Sequence, residues 1–138
     1  MSGTGNSRRV VIVEDEKSCA STLEIALLTI PGVIIVPVSS ARHALQILQD
    51  SENGSVAALV TDLNMPRMDG FELIERVRAD RRYNALPVIV VSGDTDPGTP
   101  ERVSRLGVNA FFGKPYSPAQ VREKLEHLLN AHRSRDGT

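Results

Sequence analysis

Val56-Ala57-Ala58-Leu59-Val60-Thr61, followed at once by Asp62, is the stretch that decides the fold. A continuous apolar run of this length suits a strand buried on both faces, as in a parallel sheet. Val10–Val13 and Val33–Val36 upstream and Val88–Val91 downstream are runs of the same kind, and Ala110–Phe112 is a weaker fifth. Helical spacing fills the gaps between them. Leu23, Ala26, Leu27 and Ile30 fall at i, i+3, i+4 and i+7, as do Ala41, Ala44, Leu45 and Leu48. Phe71, Ile74 and Val77 continue the pattern, and Val121, Leu125, Leu128 and Leu129 close it. Each stripe provides one buried and one wet face.

Punctuation agrees with these elements. Ser117-Pro118-Ala119-Gln120 reads as a helix N-cap with proline in the first helical position. Asp69 with Glu72 offers a cap for the third helix, and Thr99-Pro100 one for a short fourth helix. Gly32, Gly54 and Gly107 stand where helices should end. The pattern predicts (βα)5, a doubly wound parallel sheet with helices on both faces. One domain is expected over residues 8–132, between short tails at 1–7 and 133–138.

Composition narrows the function. The chain has 138 residues, room for one ordinary domain. Lys+Arg is 16 against Asp+Glu 17, a balance that argues against phosphate-tracking nucleic-acid binding. No apolar run approaches a membrane span, and the N-terminus lacks the apolar stretch of a signal peptide, so the expected location is cytoplasmic. Cys19 is the one cysteine, which excludes an internal disulfide and a cysteine-based zinc site. It is expected to face the core, with no assigned role.

In an open parallel sheet, ligands bind beyond the carboxyl ends of the strands. Glu14, Asp15 and Glu16 follow the first strand, Asp62 ends the third, Ser92 ends the fourth, and Lys114 follows the fifth. If the first and third strands are neighbours, Glu14, Asp15 and Asp62 converge, and such a trio calls for a proton or a cation. Oxygen-only ligands in a half-open site suit Mg²⁺ better than Ca²⁺. Ser92 and Lys114 would then serve the oxygens of a phosphoryl group, with Asp62 as the nucleophile. Each residue alone has a plainer account: Asp15, Asp62 and Asp69 as helix caps, Ser92 as a turn residue, Lys114 as a loop lysine, Phe111 and Phe112 as core. No plain account predicts acids, hydroxyl and lysine at the ends of strands one, three, four and five together.

Four stretches carry a resemblance: Val11-Ile12-Val13-Glu14-Asp15-Glu16, Thr61-Asp62-Leu63-Asn64-Met65-Pro66-Arg67-Met68-Asp69-Gly70, Val91-Ser92-Gly93, and Phe111-Phe112-Gly113-Lys114-Pro115. With them the chain resembles the receiver domains of two-component response regulators over about Arg8 to Ala131. The resemblance implies a flavodoxin-like sheet of strand order 2-1-3-4-5. It implies that Asp62 accepts a phosphoryl group from a phosphohistidine on a sensor histidine kinase or histidine phosphotransfer protein. It further implies Mg²⁺ held by Asp15 directly, by Glu14 chiefly through water, by Asp62 and by the Asn64 carbonyl. Ser92 becomes the switch hydroxyl, Phe111 the switch aromatic and Lys114 a bridge to the phosphoryl oxygens, with a cis bond to Pro115. Pro66 and Gly70 shape the loop after the acceptor strand. A downstream protein would bind the face made by the fourth helix, fifth strand and fifth helix, with no direct nucleic acid and no membrane involved. Self-phosphorylation and self-dephosphorylation are expected rather than turnover as an enzyme.

Some details depart from the common pattern. Phe111 lacks a tyrosine hydroxyl, so its switching works through packing alone. Gly93 stands where alanine is common, and Pro97, Gly98 and Pro100 crowd the approach to the fourth helix. Asp94, two residues beyond Ser92, is expected to repel anions at the rim. A flavodoxin-like FMN binder, a P-loop hydrolase and a capped magnesium phosphohydrolase each lack their motif or their length here. A receiver serving as a constitutive interaction module stays open, as does the choice between a stand-alone receiver and part of a longer regulator.

Overall fold

A computed structural model describes residues 8–50, 56–65 and 67–137, with residues 132–137 described as backbone. Strands and helices alternate without exception among the described residues. They are β1 (Arg8–Val13), α1 (Lys17–Leu27), β2 (Val33–Val38), α2 (Ala41–Asp50), β3 (Val56–Asp62), α3 (Gly70–Ala79), β4 (Val88–Ser92), α4 (Thr99–Arg105), β5 (Ala110–Gly113) and α5 (Pro118–Gly137). The strands are parallel and ordered β2-β1-β3-β4-β5, a flavodoxin-like doubly wound sheet. From β1 the chain moves outward to β2 and then crosses back to β3. The strand order therefore reverses between β1 and β3, and a crevice opens beyond their carboxyl ends.

The continuous apolar runs reflect two separate cores. Val11, Val13, Leu59, Val88 and Val90 point to one face, where Ala44 and Leu48 of α2, Leu73 and Ile74 of α3 and Val103 of α4 cover them. Val10, Ile12, Ala58, Val60, Ile89 and Val91 point to the other, under Leu23 and Leu27 of α1 and Val121, Leu125 and Leu129 of α5. Consecutive residues of a central strand thus fill opposite cores, and none faces water. Truncating one of these leucines to alanine costs about 2–5 kcal/mol, which makes each of them a strong determinant of the fold.

Most of the expected punctuation is present. The Asp69 carboxylate accepts the Glu72 N–H at 3.0 Å, and the Ser117 hydroxyl accepts the Gln120 N–H at 3.3 Å. Gly32 and Gly107 have φ of 76° and 74°, the left-handed conformation that closes a helix. Gly54 and Pro66 lie outside the described residues. Thr99 is the first residue of α4 rather than its cap; Gly98 takes that place, because the Thr99 hydroxyl is engaged by Asp94 instead. α1 ends at Leu27, while Ile30 still packs beneath its last turn. The backbone of α5 continues past residue 132, where the sequence suggests a tail. No helix among the described residues is long and apolar enough to cross a membrane.

At the opposite end of the sheet from the crevice, Arg78 of α3 fastens two loops. Its guanidinium donates to the carbonyls of Tyr83, Asn84 and Leu86 before β4 and of Leu106 and Gly107 after α4. Burial lowers its basicity below the ordinary arginine value.

Candidate functional site

Register brings the charged residues together. Val13 lies opposite Thr61, Asp62 opposite Val91, and Ser92 opposite Gly113, so the four strand ends rise to one level. Carboxylate oxygens of Glu14, Asp15 and Asp62 then lie within 4.8 Å of one another. Glu14 is 3% exposed and Asp62 4% exposed, whereas Asp15 stands in solvent. Lys114 extends back across the site from β5, with Nζ 2.8 Å from Asp62 Oδ2 and 3.0 Å from Glu14 Oε1. Backbone amides complete the pair: the Asn64 N–H donates to Asp62 Oδ1 at 3.1 Å, and the Glu16 N–H donates to Glu14 Oε2 at 3.2 Å.

Local backbone fixes the reach of each group. Lys114 donates its N–H to the Ser92 carbonyl at 2.7 Å, which extends the β4–β5 pairing to the lysine, and its bond to Pro115 is cis. Gly70 seats α3 against the end of β3. A Cβ there would fall onto the Asp62 carbonyl oxygen and within 2.7 Å of the Leu63 Cα. The absence of a side chain at position 70 thus lets α3 start directly beneath the buried aspartate.

Electrostatics follow from crowding. Burial raises the Glu14 carboxyl above its ordinary value, and the nearby Asp62 charge adds to the rise, against the hydrogen bonds from Lys114 and Glu16. Burial opposes the charge of Lys114, but its hydrogen bonds to Asp62 and Glu14 outweigh that and hold its ammonium above the usual lysine range. Three carboxylates face one ammonium, so two negative charges stay uncompensated in the cluster. An oxygen-only donor set with that excess fits a hard divalent cation, and an ammonium beside it fits an anion that such a cation would share.

The remaining candidates divide. Ser92 is fully buried at the end of β4, and its Oγ accepts the Asp94 N–H at 3.0 Å. Phe111 is half-buried against the core under α2, α3 and α4, away from the carboxylates, while Phe112 faces the opposite core. The Asn64 side chain is exposed. The Asp94 carboxylate also organises the loop after β4: its Oδ1 accepts the Asp96 N–H at 2.8 Å and its Oδ2 the Thr99 hydroxyl at 3.1 Å. Cys19 corrects the sequence expectation that it faces the core. The thiol is only part-buried, donates to Glu16 Oε1 at 2.8 Å, and lines a groove with Ser18, Thr22, Lys114 and Tyr116. That hydrogen bond pushes the thiol up to about 11, and burial pushes the Tyr116 phenol up to about 12. Sequence reasoning missed the Glu16 amide on Glu14 and the Thr99–Asp94 bond. Neither has a sequence signal beyond a polar residue near a strand end.

With this geometry in view, comparison with known proteins is decisive. The profile of the response regulator receiver domain matches residues 10–126. The chain belongs to that family. A chemotaxis protein CheY homolog of Campylobacter jejuni is 32% identical over 123 residues, covering 88% of this chain and 92% of the relative. A response regulator receiver protein from Pseudomonas putida is 31% identical, with a TM-score of 0.78 over 88% of this receiver and 97% of that chain. The receiver domain of a sensor histidine kinase from Pseudomonas aeruginosa shares the fold at 20% identity, with a TM-score of 0.77 over 90% of this chain and 98% of that one. Membership implies a phosphoacceptor role in two-component signalling, performed by a signalling domain rather than a turnover enzyme.

Proposed function

We propose that this receiver takes a phosphoryl group from a phosphohistidine, on a sensor histidine kinase or histidine phosphotransfer protein, onto Asp62. The observation that carries the reading is the setting of Asp62. It is a buried carboxylate at the mouth of the crevice, clamped by the Lys114 ammonium on one oxygen and the Asn64 amide on the other. In the transfer, an Asp62 carboxylate oxygen attacks phosphorus as the N–P bond breaks, and the histidine nitrogen leaves with the bonding pair. The product is an aspartyl phosphate and a histidine that takes up a proton as needed.

Around that step the chain's residues place charge. Lys114 draws negative charge from the phosphoryl oxygens, and the Ser92 hydroxyl donates to another. Glu14, Asp15, Asp62 and the Asn64 carbonyl are the groups that would hold Mg²⁺. When bound, the ion supplies the positive centre that lets a dianionic phosphoryl group approach three carboxylates. The related receiver from Pseudomonas aeruginosa holds a magnesium ion in its active-site cleft, which supports this assignment. Phosphorylation would then favour a conformation in which Ser92 and Phe111 repack and the α4–β5–α5 face binds a downstream protein.

Intact-mass measurement after incubation with phosphoramidate, whose P–N bond imitates the donor, tests the proposal. A Mg²⁺-dependent gain of one phosphoryl group is expected, absent in Asp62→Asn. No gain with Mg²⁺ present, by phosphoramidate or by a phosphorylated histidine phosphotransfer domain, would overturn it in favour of a constitutive interaction module.

A further inference from the structure

Two successive carbonyls at the end of β3 are each held by a donor of their own. Thr61 is fully buried, and register places it between Val13 of β1 and Val90 of β4, both of which face the core under α2, α3 and α4. A valine would fill that place without bringing a polar atom into the core, so the hydroxyl has to be explained by its bond. It donates to the Asp62 carbonyl oxygen at 2.7 Å. The next carbonyl, that of Leu63, accepts the Gly70 N–H at 2.9 Å. A peptide unit is a rigid plane, so a bond to its oxygen restrains the tilt of the whole unit. Thr61 thus restrains the plane that joins Asp62 to Leu63, and Gly70 restrains the plane that joins Leu63 to Asn64. The N–H of this second plane is the Asn64 amide, which donates to Asp62 Oδ1 at 3.1 Å. The acceptor carboxylate is therefore aimed by the two peptide planes that follow it, hinged at the buried Leu63.

We propose that Thr61 is a positioning residue for phosphoryl transfer: its hydroxyl fixes the peptide after Asp62, and with it the Asn64 amide that orients the Asp62 carboxylate for attack on phosphorus. This deepens the phosphoacceptor reading and rests on it. Without the hydroxyl, the Asp62 carbonyl loses that donor and its plane is free to tilt about the flanking Cα atoms. The Asn64 amide then drifts from Oδ1. Lys114 still holds Oδ2, so the carboxylate keeps its charge partner and its place in the crevice but loses its angle. A donor binds such a site as before and reacts more slowly, because displacement at phosphorus depends on the alignment of the attacking oxygen.

Two readouts on the full chain test this. One is NMR-detected hydrogen exchange of the Asn64 amide without phosphodonor. The other is the rate of phosphorylation by phosphoramidate and Mg²⁺, followed by intact mass over a range of donor concentrations. Thr61→Val is expected to speed Asn64 exchange about tenfold, the net worth of one hydrogen bond. The Leu73 amide, which donates to the Asp69 carbonyl at the start of α3, keeps its wild-type exchange rate. The maximal phosphorylation rate falls about tenfold, a similar loss, while the half-saturating donor concentration stays the same. Thr61→Ser, which keeps the hydroxyl, restores both the slow exchange and the fast phosphorylation. If Thr61→Val does not fold, Thr61→Ala against Thr61→Ser makes the same comparison. Unchanged Asn64 exchange overturns the proposal, and so do Asn64 and Leu73 rates that rise together, the mark of general loosening. An unchanged maximal rate beside faster Asn64 exchange overturns it too, as does a Thr61→Ser protein that behaves like Thr61→Val. A wild-type protein that gains no phosphoryl group overturns the phosphoacceptor reading, and Asn64 exchange then decides whether Thr61 aims the carboxylate.

Discussion

Glu14 shows how a single buried carboxylate trades stability against function. Its folded pKa is raised by burial, so its ionised form costs stability at neutral pH. That cost disappears as pH falls through the raised value towards the ordinary 4.5. Glu14→Gln is therefore expected to raise Tm by a few degrees at pH 7 without Mg²⁺, with the gap closing on acidification towards pH 4.5. Mg²⁺ should reverse the order, because it stabilises the wild-type protein by mass action and the variant less. Differential scanning calorimetry across pH, with and without the ion, checks both signs. Cys19 gives a second residue-scale expectation. Its thiol lies at about 11 against an ordinary 9.0, which leaves about a hundredfold less thiolate at pH 8. Iodoacetamide should label it correspondingly slowly in the native protein, and Glu16→Gln should accelerate labelling; a native rate equal to that of the unfolded chain would contradict the Glu16 bond. The setting of Cys19 was misread from the sequence. It falls four residues before Leu23 and seven before Ala26, on the apolar stripe of α1, but in the first turn of the helix, where its thiol bonds to Glu16 and is only part-buried.

At the scale of elements, α3 carries two neighbouring residues with different jobs. Asp69 caps the helix and Gly70 lets it touch β3. Asp69→Ala is expected to cost about 1 kcal/mol in urea unfolding and leave phosphorylation near the wild-type rate. Gly70→Ala drives a methyl into the Asp62 carbonyl, so it should cost more and also slow phosphorylation by displacing the acceptor. Equal effects of the two substitutions on phosphorylation would contradict this division. The central strands β1, β3 and β4 were legible because each fills two cores, and a run filling both faces needs no polar alternation. β2 is an edge strand with Ile34 47% exposed, and its run of β-branched residues alone made it legible. β5, the other edge, was faint because it has four residues and no such run, with Ala110, Phe111 and Phe112 only half-buried. The cap of α4 was displaced by one residue because Thr99, an ordinary capping type, spends its hydroxyl on Asp94.

Over the whole molecule, chemistry gathers at one end of the sheet and fastening at the other. Arg78 makes the fastening, with bonds reaching carbonyls up to 29 residues away, and nothing local in the sequence marks it among the chain's other arginines. Arg78→Ala should cost about 2–4 kcal/mol in urea unfolding. Arg78→Lys should recover little of that, since one ammonium cannot reproduce the planar fork. The carboxylate end was far more legible, because strand-end position alone names Glu14, Asp15, Asp62, Ser92 and Lys114. What position could not give was the bonding: Lys114 clamping both Glu14 and Asp62, and the Asn64 and Glu16 amides completing them. The central claim is that Asp62 is the residue phosphorylated. The most direct measurement is borohydride reduction of the protein after phosphoramidate and Mg²⁺ treatment, followed by tandem mass spectrometry, since reduction converts an aspartyl phosphate to homoserine. The account predicts homoserine at position 62 and at no other aspartate. Homoserine at Asp15 with Asp62 intact, or no conversion in a sample that has gained a phosphoryl group, would contradict it.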